Sequence, residues 1–508
     1  MPDKAVDLIT DAILERDQPR TTDLFFQMVR RDGRPLGDAL ATVTVAEAPF
    51  VQVPSHINVR DGQITLINND HTILGLRTSV SLAPFVPAPY RLLPLLQSVW
   101  YIPAGLDIWN QLLGKYPGRY ATMKGIEVPP PSYGPVVWNQ EQEPIRGEGS
   151  LEGRLHAHLV ATMSGDVRQS YGLFLGLAAD EAARPALRDQ MLFLGLIDLQ
   201  DTVIGRKARN TGHKALRARA TMDLADTVGW ENARGVYYIG VPDMAVGPLY
   251  YSLYDAACVT AAADLPEAGK RLKETNVTPL TPAEVEEMVR LLMEADAATV
   301  WALLTTHLRN GKSLKSLGDT IQIGAAELIL RTTVPRQFTD GQHPFDYCNT
   351  ANHWMRGSDN PYQARVLYLM ANFVNDVARS DKLVTSVIER ERAGFALGGR
   401  TPHSLLQELD EAILAYDVPR TTALASAYLE SGADRQAYQQ TVAVTACKFQ
   451  DDPHNQKITH SAFEEYAHNE THLRDRLLLA APRLLAGWPK MPGERDCYGR
   501  FMKTWINN

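Results

Sequence analysis

Several residue patterns are missing from this chain of 508 residues. The four cysteines form no CxxC pair, so a disulfide framework and a cysteine-based zinc or iron–sulfur site are not indicated. No GxGxxG motif follows a strand, and neither GxxxxGK[ST] nor GxSxG occurs, so dinucleotide, P-loop and α/β-hydrolase chemistry lack their signatures. No stretch approaches the ~18 uninterrupted apolar residues of a membrane helix.

An excess of positive charge is also missing. The formal net charge is -8 and the sequence pI is about 5.9, which argues against nucleic acid or an anionic membrane as a partner. Hydrophobic residues make up 45% and charged residues 22%, as in ordinary globular proteins. The first twenty residues have the pattern of a charged amphipathic helix without the apolar core of a signal peptide, so we expect a cytoplasmic protein.

What the chain does contain is an internal repeat. AILERDQPRTTDL at 12–24 and AILAYDVPRTTAL at 412–424 are identical at nine of thirteen positions. A weaker copy, LMEADAATVWAL at 292–303, places Asp296 where the other copies have Asp17 and Asp417. Similarity of this kind indicates that one supersecondary unit was used more than once.

Each copy continues through a glycine into a second segment with helical periodicity. Apolar residues recur at i, i+3, i+4 and i+7 on both sides of Gly33, Gly311 and Gly432, the period of a helix with one buried face. The unit is therefore predicted to be a helical hairpin. We predict an all-α fold of about four diverged hairpin repeats packed around a central cavity.

A histidine follows the second helix of each copy, after a short polar loop. It is His71 in NNDHTILGLR, His343 in DGQHPFDYCNTANHW and His454 in DDPHNQKITH. A new apolar run begins about 18 residues after each of them, and the same rule selects His213 in NTGHKALRARATMDLADTV. Four units thus share one histidine position, with His56 as an alternative to His71.

This register divides the chain into five parts. They are repeat unit 1 at 1–117, a Pro-rich connecting arm at 118–150, unit 2 at 151–264, unit 3 at 265–392 and unit 4 at 393–508. Alternation around Asp61-Gly62 predicts a small β-hairpin insertion near 57–70. The arm is long for a connection and either covers a cleft or packs on a neighbouring unit.

Repeated units that pack around an axis would send one histidine each toward the middle. Neutral imidazole is the commonest protein metal ligand, and several histidines together suit iron, copper, manganese or zinc. We therefore predict that His71, His213, His343 and His454 hold one metal ion, with iron favoured. The alternative is that each histidine caps a helix or bonds a backbone carbonyl and recurs through common ancestry alone.

Polar neighbours of the four histidines could orient the imidazole rings by hydrogen bonds. Asp70, Asp346, Glu231 and His460 are close in sequence, and Asp346 and Glu231 are the candidate catalytic residues. The helix patterns place His353, His468 and His472 on helix surfaces.

Two further segments allow a binding or a structural interpretation. The basic run at 205–219 is either a site for an anionic substrate or acidic redox partner, or a solvated helix face. The tyrosines between 237 and 254 either line a pocket for a flat apolar ligand or belong to the core.

The segments after three of the histidines resemble a known family. FDYCNTANHW, DDPHNQKITHSAFEEY and GHKALRARATMDLADTVGWENA are similar to the helical, histidine-bearing region of bacterial proteins that often carry an attached Rieske-type iron–sulfur domain. The resemblance covers most of 150–508, and a more remote one is to questin-oxidase-like proteins, helical oxygenases. It implies a redox-active metal centre. The Rieske CxH and CxxH pairs are absent from this chain, so an electron donor would be a separate protein or not needed.

These patterns favour a metal-dependent oxidoreductase, with oxygenase as the narrower form, that oxidises a small organic molecule at the histidine site. One alternative is a non-enzymatic helical-repeat scaffold that binds a protein or peptide, whose histidines would point to separate surfaces. Another is a hydrolase that holds zinc with the same histidines.

Overall fold

The fold is described from a computed structural model. The residues it describes are 4–48, 59–60, 63–64, 71–110, 142–199, 212–245, 253–265, 272–335, 337–383, 385–396, 398–449, 453–488, 490 and 493–506.

Helices dominate these residues, in agreement with the predicted all-α class. In chain order the α-helices are α1 (Lys4–Leu14), α2 (Gln18–Phe26), α3 (Leu36–Glu47), α4 (His71–Leu82), α5 (Leu93–Asn110), α6 (Leu151–Met163), α7 (Val167–Ala178), α8 (Arg184–Ile197), α9 (His213–Val228), α10 (Arg234–Gly240), α11 (Leu253–Asp264), α12 (Leu272–Thr275), α13 (Pro282–Glu294), α14 (Ala297–Arg309), α15 (Leu314–Arg331), α16 (Gln337–Gly357), α17 (Gln363–Ser380), α18 (Ile388–Ala393), α19 (Pro402–Leu414), α20 (Val418–Glu430), α21 (Arg435–Ala446), α22 (His454–His468), α23 (Asp475–Gly487) and α24 (Asp496–Arg500). Among the described residues, no helix has the length and apolar character needed to cross a membrane.

Apart from an isolated bridge between Thr278 and Lys312, β-structure within the described residues consists of two strands of two residues each. β1 (Val59–Arg60) pairs antiparallel with β2 (Gln63–Ile64), with Val59 opposite Ile64. The rest of the predicted insertion at 57–70 lies outside the described residues, so the hairpin as a whole stays a prediction. The connecting arm at 118–150 is likewise described only from residue 142.

The aspartates that align in the sequence all occupy the same kind of position. Asp17, Asp296 and Asp417 are the N-caps of α2, α14 and α20, and each carboxylate accepts a hydrogen bond from the backbone N–H three residues later. Asp166 does the same for α7, a match that the sequence comparison missed. Such a side chain satisfies a backbone donor that the helix leaves without an acceptor.

The glycine breaks have a conformational cause. Gly33, Gly311 and Gly432 end the helical segment before them with φ of 65°, 72° and 71°. Only glycine adopts this left-handed region at little steric cost, so it can close a helix and turn the chain.

Four helices form the centre of the fold. α4 packs against α9 and α22, and α16 packs against the same two helices, so the four close into a ring. Each of them carries one of the four predicted ligand histidines. The remaining helices surround them. α5 packs against α4, α3 packs against α9, and α15 and α17 pack against α16.

The four central helices run parallel to one another. Side chains at equal distances after the four histidines meet across the bundle: Arg77 contacts His460, and Arg219 donates a hydrogen bond to Asn349. Each of these residues lies six positions after its histidine. Equal offsets can meet at several levels only if the helices point the same way.

Small side chains let these helices approach closely. A Cβ on Gly75 of α4 would lie 3.1 Å from Pro453, the residue before α22. Gly212, immediately before α9, has a φ of 65° and packs its Cα against the ring of Tyr347 on α16. These two contacts draw the start of α4 toward α22 and the start of α9 toward α16, which is where the histidines lie.

Candidate metal centre

The structure brings the four predicted histidines together. Ring centres are 5.2 Å apart for His71 and His213, for His213 and His343 and for His71 and His454, and 6.0 Å apart for His343 and His454. These four contacts close a ring of imidazoles at one end of the central bundle. His71, His343 and His454 are buried and His213 is half-buried.

Three of the histidines begin their helices, but the fourth does not. His71, His213 and His454 are the first residues of α4, α9 and α22, whereas His343 is the seventh residue of α16. The predicted polar loop before it is helical. Pro344 has the pattern of a first helical position, yet the helix continues through it because this stretch is buried and tertiary packing outweighs the local signal.

Hydrogen bonds define the tautomer of His343. Its Nδ1 lies 2.6 Å from the backbone carbonyl oxygen of Thr339. A carbonyl only accepts, so Nδ1 carries the proton and Nε2 of the neutral ring keeps its lone pair. Burial, with the nearby charges of Lys457 and His454, holds the pKa of His343 well below its usual value. The Nε2 lone pair is therefore available at neutral pH.

His213 faces this lone pair. Its Nε2 lies 3.2 Å from Nε2 of His343. Two nitrogens bound at ~2.0–2.1 Å to a tetrahedral metal ion are themselves about 3.3 Å apart. The separation therefore fits two ligands of one ion as well as a hydrogen bond between neutral rings. Across the described residues, no set of three or more His, Cys, Asp or Glu side chains is already arranged to hold a metal ion.

Trp488 covers one side of the ring of histidines. Its indole stacks on His454 with the ring centres 4.1 Å apart and an interplanar angle of 19°. Gln342 donates from Nε2 to the backbone oxygen of His454 and also to Asp346. The His454 backbone and ring are thus held from two directions. Trp488 was not predicted from the sequence, because the position of this residue after α23 has no relation to the spacing of the histidines.

Asp346 lies one helical turn below the histidines in the bundle interior. It is buried, it accepts hydrogen bonds from Gln342 and Ser461, and its Oδ2 is 3.7 Å from Nζ of Lys457. Burial raises the pKa of Asp346, and Lys457 opposes that shift. The residues of this level line a cavity large enough for a water molecule. Asp346 is thus placed within reach of the histidine level.

Glu231 does not join this group. It follows α9, while His213 begins that helix, and the helix is about 22 Å long at 1.5 Å per residue. Its side chain is 71% exposed and forms an ion pair with Arg184. The spacing rule associated Glu231 with His213, but the position 18 residues after His213 falls beyond the end of α9. Asp70 lies outside the described residues, as does His56.

A second polar level lies deeper in the bundle. Arg77 forms ion pairs with Asp223, Arg219 with Glu464, and the Nδ1 of His460 accepts from Arg77. Burial and the nearby Arg77 lower the pKa of His460 to about 3, so its ring is neutral. His460 therefore supports Arg77 and is six residues away from His454, too far along the helix to orient that ring.

The described part of the basic run, from residue 212 onward, contributes to this interior. Lys214, Arg217 and Arg219 are buried, so for these three residues neither the anion or redox-partner site nor the solvated helix face holds. Lys214 is 2.5 Å from Asp198, so buried charge is matched by buried charge. The other basic residues of the run, at 206, 207 and 209, lie outside the described residues.

The tyrosines follow the core interpretation where they are described. Tyr237 and Tyr238 are buried in the core, and Tyr254 is partly buried against it. Residues 250 and 251 lie outside the described residues. Of the three histidines expected on helix surfaces, His353 is partly buried and forms a hydrogen bond with Glu464. His468 and His472 are exposed, and His472 lies beside Glu286.

One buried carboxyl near the histidines was also missed. Glu47 ends α3, is 1% exposed, and its carboxyl lies beside Thr72, the residue after His71. Burial raises the pKa of Glu47 to about 8. Its position at the end of an amphipathic helix gave no sign of burial. The Lys457–Asp346 pair did have a sequence signal, because both residues lie three positions after a repeat histidine on a face predicted to be buried.

No protein-family model, curated protein or solved structure matches this chain.

Proposed function

We propose that the protein is a metal-dependent oxidoreductase in which His71, His213, His343 and His454 hold one metal ion, with iron favoured. The observation that carries this proposal is the closed ring of four imidazoles, one from each of four mutually packed helices. Four residues separated by more than a hundred positions each have no structural need to meet at one point. A shared ligand gives them a reason to do so.

The surroundings of the histidines support a bound ion. The Thr339 carbonyl directs a lone pair of His343 toward His213, the kind of outer hydrogen bond that orients metal-bound histidine. His343 and His454 form the widest of the four contacts, at 6.0 Å against 5.2 Å for the others, and would approach by about 0.8 Å to complete a compact set. An imidazole-only set suits iron, copper, manganese or zinc.

The chemistry follows from the neutral charge of the ligands. A metal ion held by four neutral imidazoles keeps its full positive charge, and when bound it would supply a centre for electron transfer or for polarising a substrate. Asp346, with Lys457 beside it, can hold a proton one turn below the ligands. The buried helices exclude bulk water from this level. The substrate is proposed to be a small organic molecule, with a separate protein as electron donor if one is needed.

The repeat is part of the same proposal. We infer that four diverged units pack so that each contributes one histidine to a central site. Supporting observations are the aspartate N-cap at the second helix of every unit and the position of the next helix, which begins at Leu93, Arg234, Gln363 and Asp475.

Elemental analysis of the purified full-length chain tests the metal. We expect about one equivalent of iron, or of another redox-active metal, and loss of at least nine-tenths of it in His343→Ala and in His454→Ala. His403→Ala is the matched control, since His403 is exposed on α19 and distant from the ring. Circular dichroism should show that all variants remain helical.

The same measurement separates the alternatives. Stoichiometric zinc with no redox-active metal would favour the hydrolase. A folded chain that binds no iron, copper, manganese or zinc after reconstitution would contradict the proposal and leave the scaffold interpretation.

A further inference from the structure

A groove of about 670 Å³ opens beside the ring of histidines. It lies between the start of α16, the start of α20, the end of α23 and the short helix α18. Most of its wall is apolar, formed by residues that include Phe338, Tyr416, Val418, Pro419 and Trp488. Its volume is within the range of pockets that bind small organic molecules.

The floor of this groove is in contact with the histidine level. Trp488 lines the groove and stacks on His454 with ring centres 4.1 Å apart. Phe338 also lines it, and it immediately precedes Thr339 and lies five residues before His343 on the same helix. Gly487 lies against Phe338 so closely that any Cβ there would meet the ring at 2.2 Å. A molecule in the groove would therefore be separated from His454 by a single indole ring.

The charged side chains that line the groove, Arg390, Arg483 and Lys490 with Glu391 and Glu494, carry a net charge of +1. Two carboxylates line it, but Arg483 forms an ion pair with Glu391, and Tyr416 donates its hydroxyl to Glu494. Lys490 donates to the backbone oxygens of Leu485 and Trp488.

Arg390 completes the set of charged groups at the groove. It is exposed, and no ion pair or hydrogen bond is formed by its side chain within the part of the chain that the structure describes. A guanidinium at the edge of an apolar wall suits a ligand with an apolar body and a carboxylate or similar anionic group.

We propose that this groove binds a small organic anion with an apolar body, and that Arg390 pairs with its anionic group while Val418 and Trp488 contact the apolar part. The proposal rests on the proposed function only for the step that couples this ligand to the metal. Binding itself needs no metal, so the two can fail separately.

The experiment uses 1-anilinonaphthalene-8-sulfonate, a fluorescent anion with an apolar body, titrated against the metal-free full-length chain. Arg390→Gln should weaken its binding about tenfold, since it removes the charged partner. Val418→Trp should abolish binding by filling the groove. Arg392→Gln is the matched control, because Arg392 lies on the same short helix but pairs with Glu389 and Glu430 away from the groove.

Competition identifies the chemistry of the ligand. Octanoate should displace the probe at least tenfold more effectively than 1-octanol, and this preference should disappear in Arg390→Gln. Equal displacement by acid and alcohol, or equal binding by the Arg390→Gln and Arg392→Gln variants, would overturn the proposal.

A second titration tests the coupling. In the chain loaded with Co²⁺, octanoate should change the visible absorption of the metal in the wild type and not in Val418→Trp. If the groove binds octanoate but the chain takes up no metal, the proposed function fails and the groove site stands. If metal binds but the groove variants leave probe binding unchanged, the groove proposal fails alone.

Discussion

The two polar levels of the central bundle differ in how their charges are matched. At the upper level, four imidazoles face one another, and His343 is held neutral with a lone pair directed at His213. At the lower level Arg219 donates to Glu464 and Arg77 to Asp223. The lower level therefore pairs arginines with carboxylates, while the upper level brings four imidazoles together. Oppositely charged groups satisfy each other, whereas the directed lone pair of a neutral imidazole accepts a hydrogen bond or binds a metal ion.

Carboxylate ionisation shows the same contrast. Burial alone would raise the pKa of Glu464, but Arg219 and the nearby histidines hold it well below its usual value, and Asp223 is lowered to about 2 by Arg77 and Arg219. Asp346, nearer the histidines, has its pKa raised by burial despite Lys457. The arginines therefore favour the charged forms of Glu464 and Asp223, whereas burial favours the neutral form of Asp346 beneath the histidines.

Breaking the lower level should have the largest effect on stability. Arg219→Met leaves Glu464, whose side chain is 16% exposed, without its main partner, and breaking such a largely buried pair typically costs about 3–5 kcal/mol of unfolding free energy. Urea denaturation of wild type and variant measures it. Arg290→Met is the control, since its pairs with Glu287 and Glu294 are exposed and should be worth under about 1 kcal/mol. An equal effect of the two substitutions would contradict the distinction between the levels.

Glu47 tests the upper end of the bundle through pH. Its folded-state pKa of about 8 lies above the ordinary value of 4.5, so the unfolded chain loses this proton first. Its contribution to unfolding free energy should then decrease by about 1.4 kcal/mol per pH unit as pH rises between about 4.5 and 8. Glu47→Gln should remove that slope. The difference between the two urea-unfolding curves, measured at pH 5, 6, 7 and 8, gives it directly.

Glu465 offers the comparison within the lower level. Burial raises its pKa only to about 7, because Arg356 and two asparagines oppose the shift. The difference in unfolding free energy between wild type and Glu465→Gln should stop changing about one pH unit below the point at which the difference between wild type and Glu47→Gln does. If the unfolding free energies of wild type and Glu47→Gln change with pH in parallel, the Glu47 carboxyl is ionised in the folded protein over the whole range.

The smallest effect is expected at the aspartate N-caps, which belong to neither level. Asp417→Ala removes the N-cap of α20 and should cost about 1 kcal/mol. Asp296→Ala, at the equivalent position of α14, should cost a similar amount, and neither should change metal content. Thermal unfolding and elemental analysis together check this. A loss of metal in either variant would mean that helix ends at the surface are coupled to the histidines.

Local sequence patterns predicted the helical segments and the residues at which they begin or end. The glycines at 33, 311 and 432 and the caps Asp17, Asp296 and Asp417 act within one or two turns of chain, so sequence spacing reports them directly. The helix that contains His343 is the exception, because a polar loop was predicted before this histidine, whereas burial stabilises a helix there.

The set His71, His213, His343 and His454 was identified from sequence alone, through a register that counts residues within each unit. Their convergence was decided only by the tertiary structure, since it depends on four helices closing into a ring of parallel neighbours. The placement of Glu231, Trp488 and Arg219 was decided at the same stage. Spacing along one helix says which residues share a face, but not which other helix that face will meet, and the chemistry of a buried group depends on that partner.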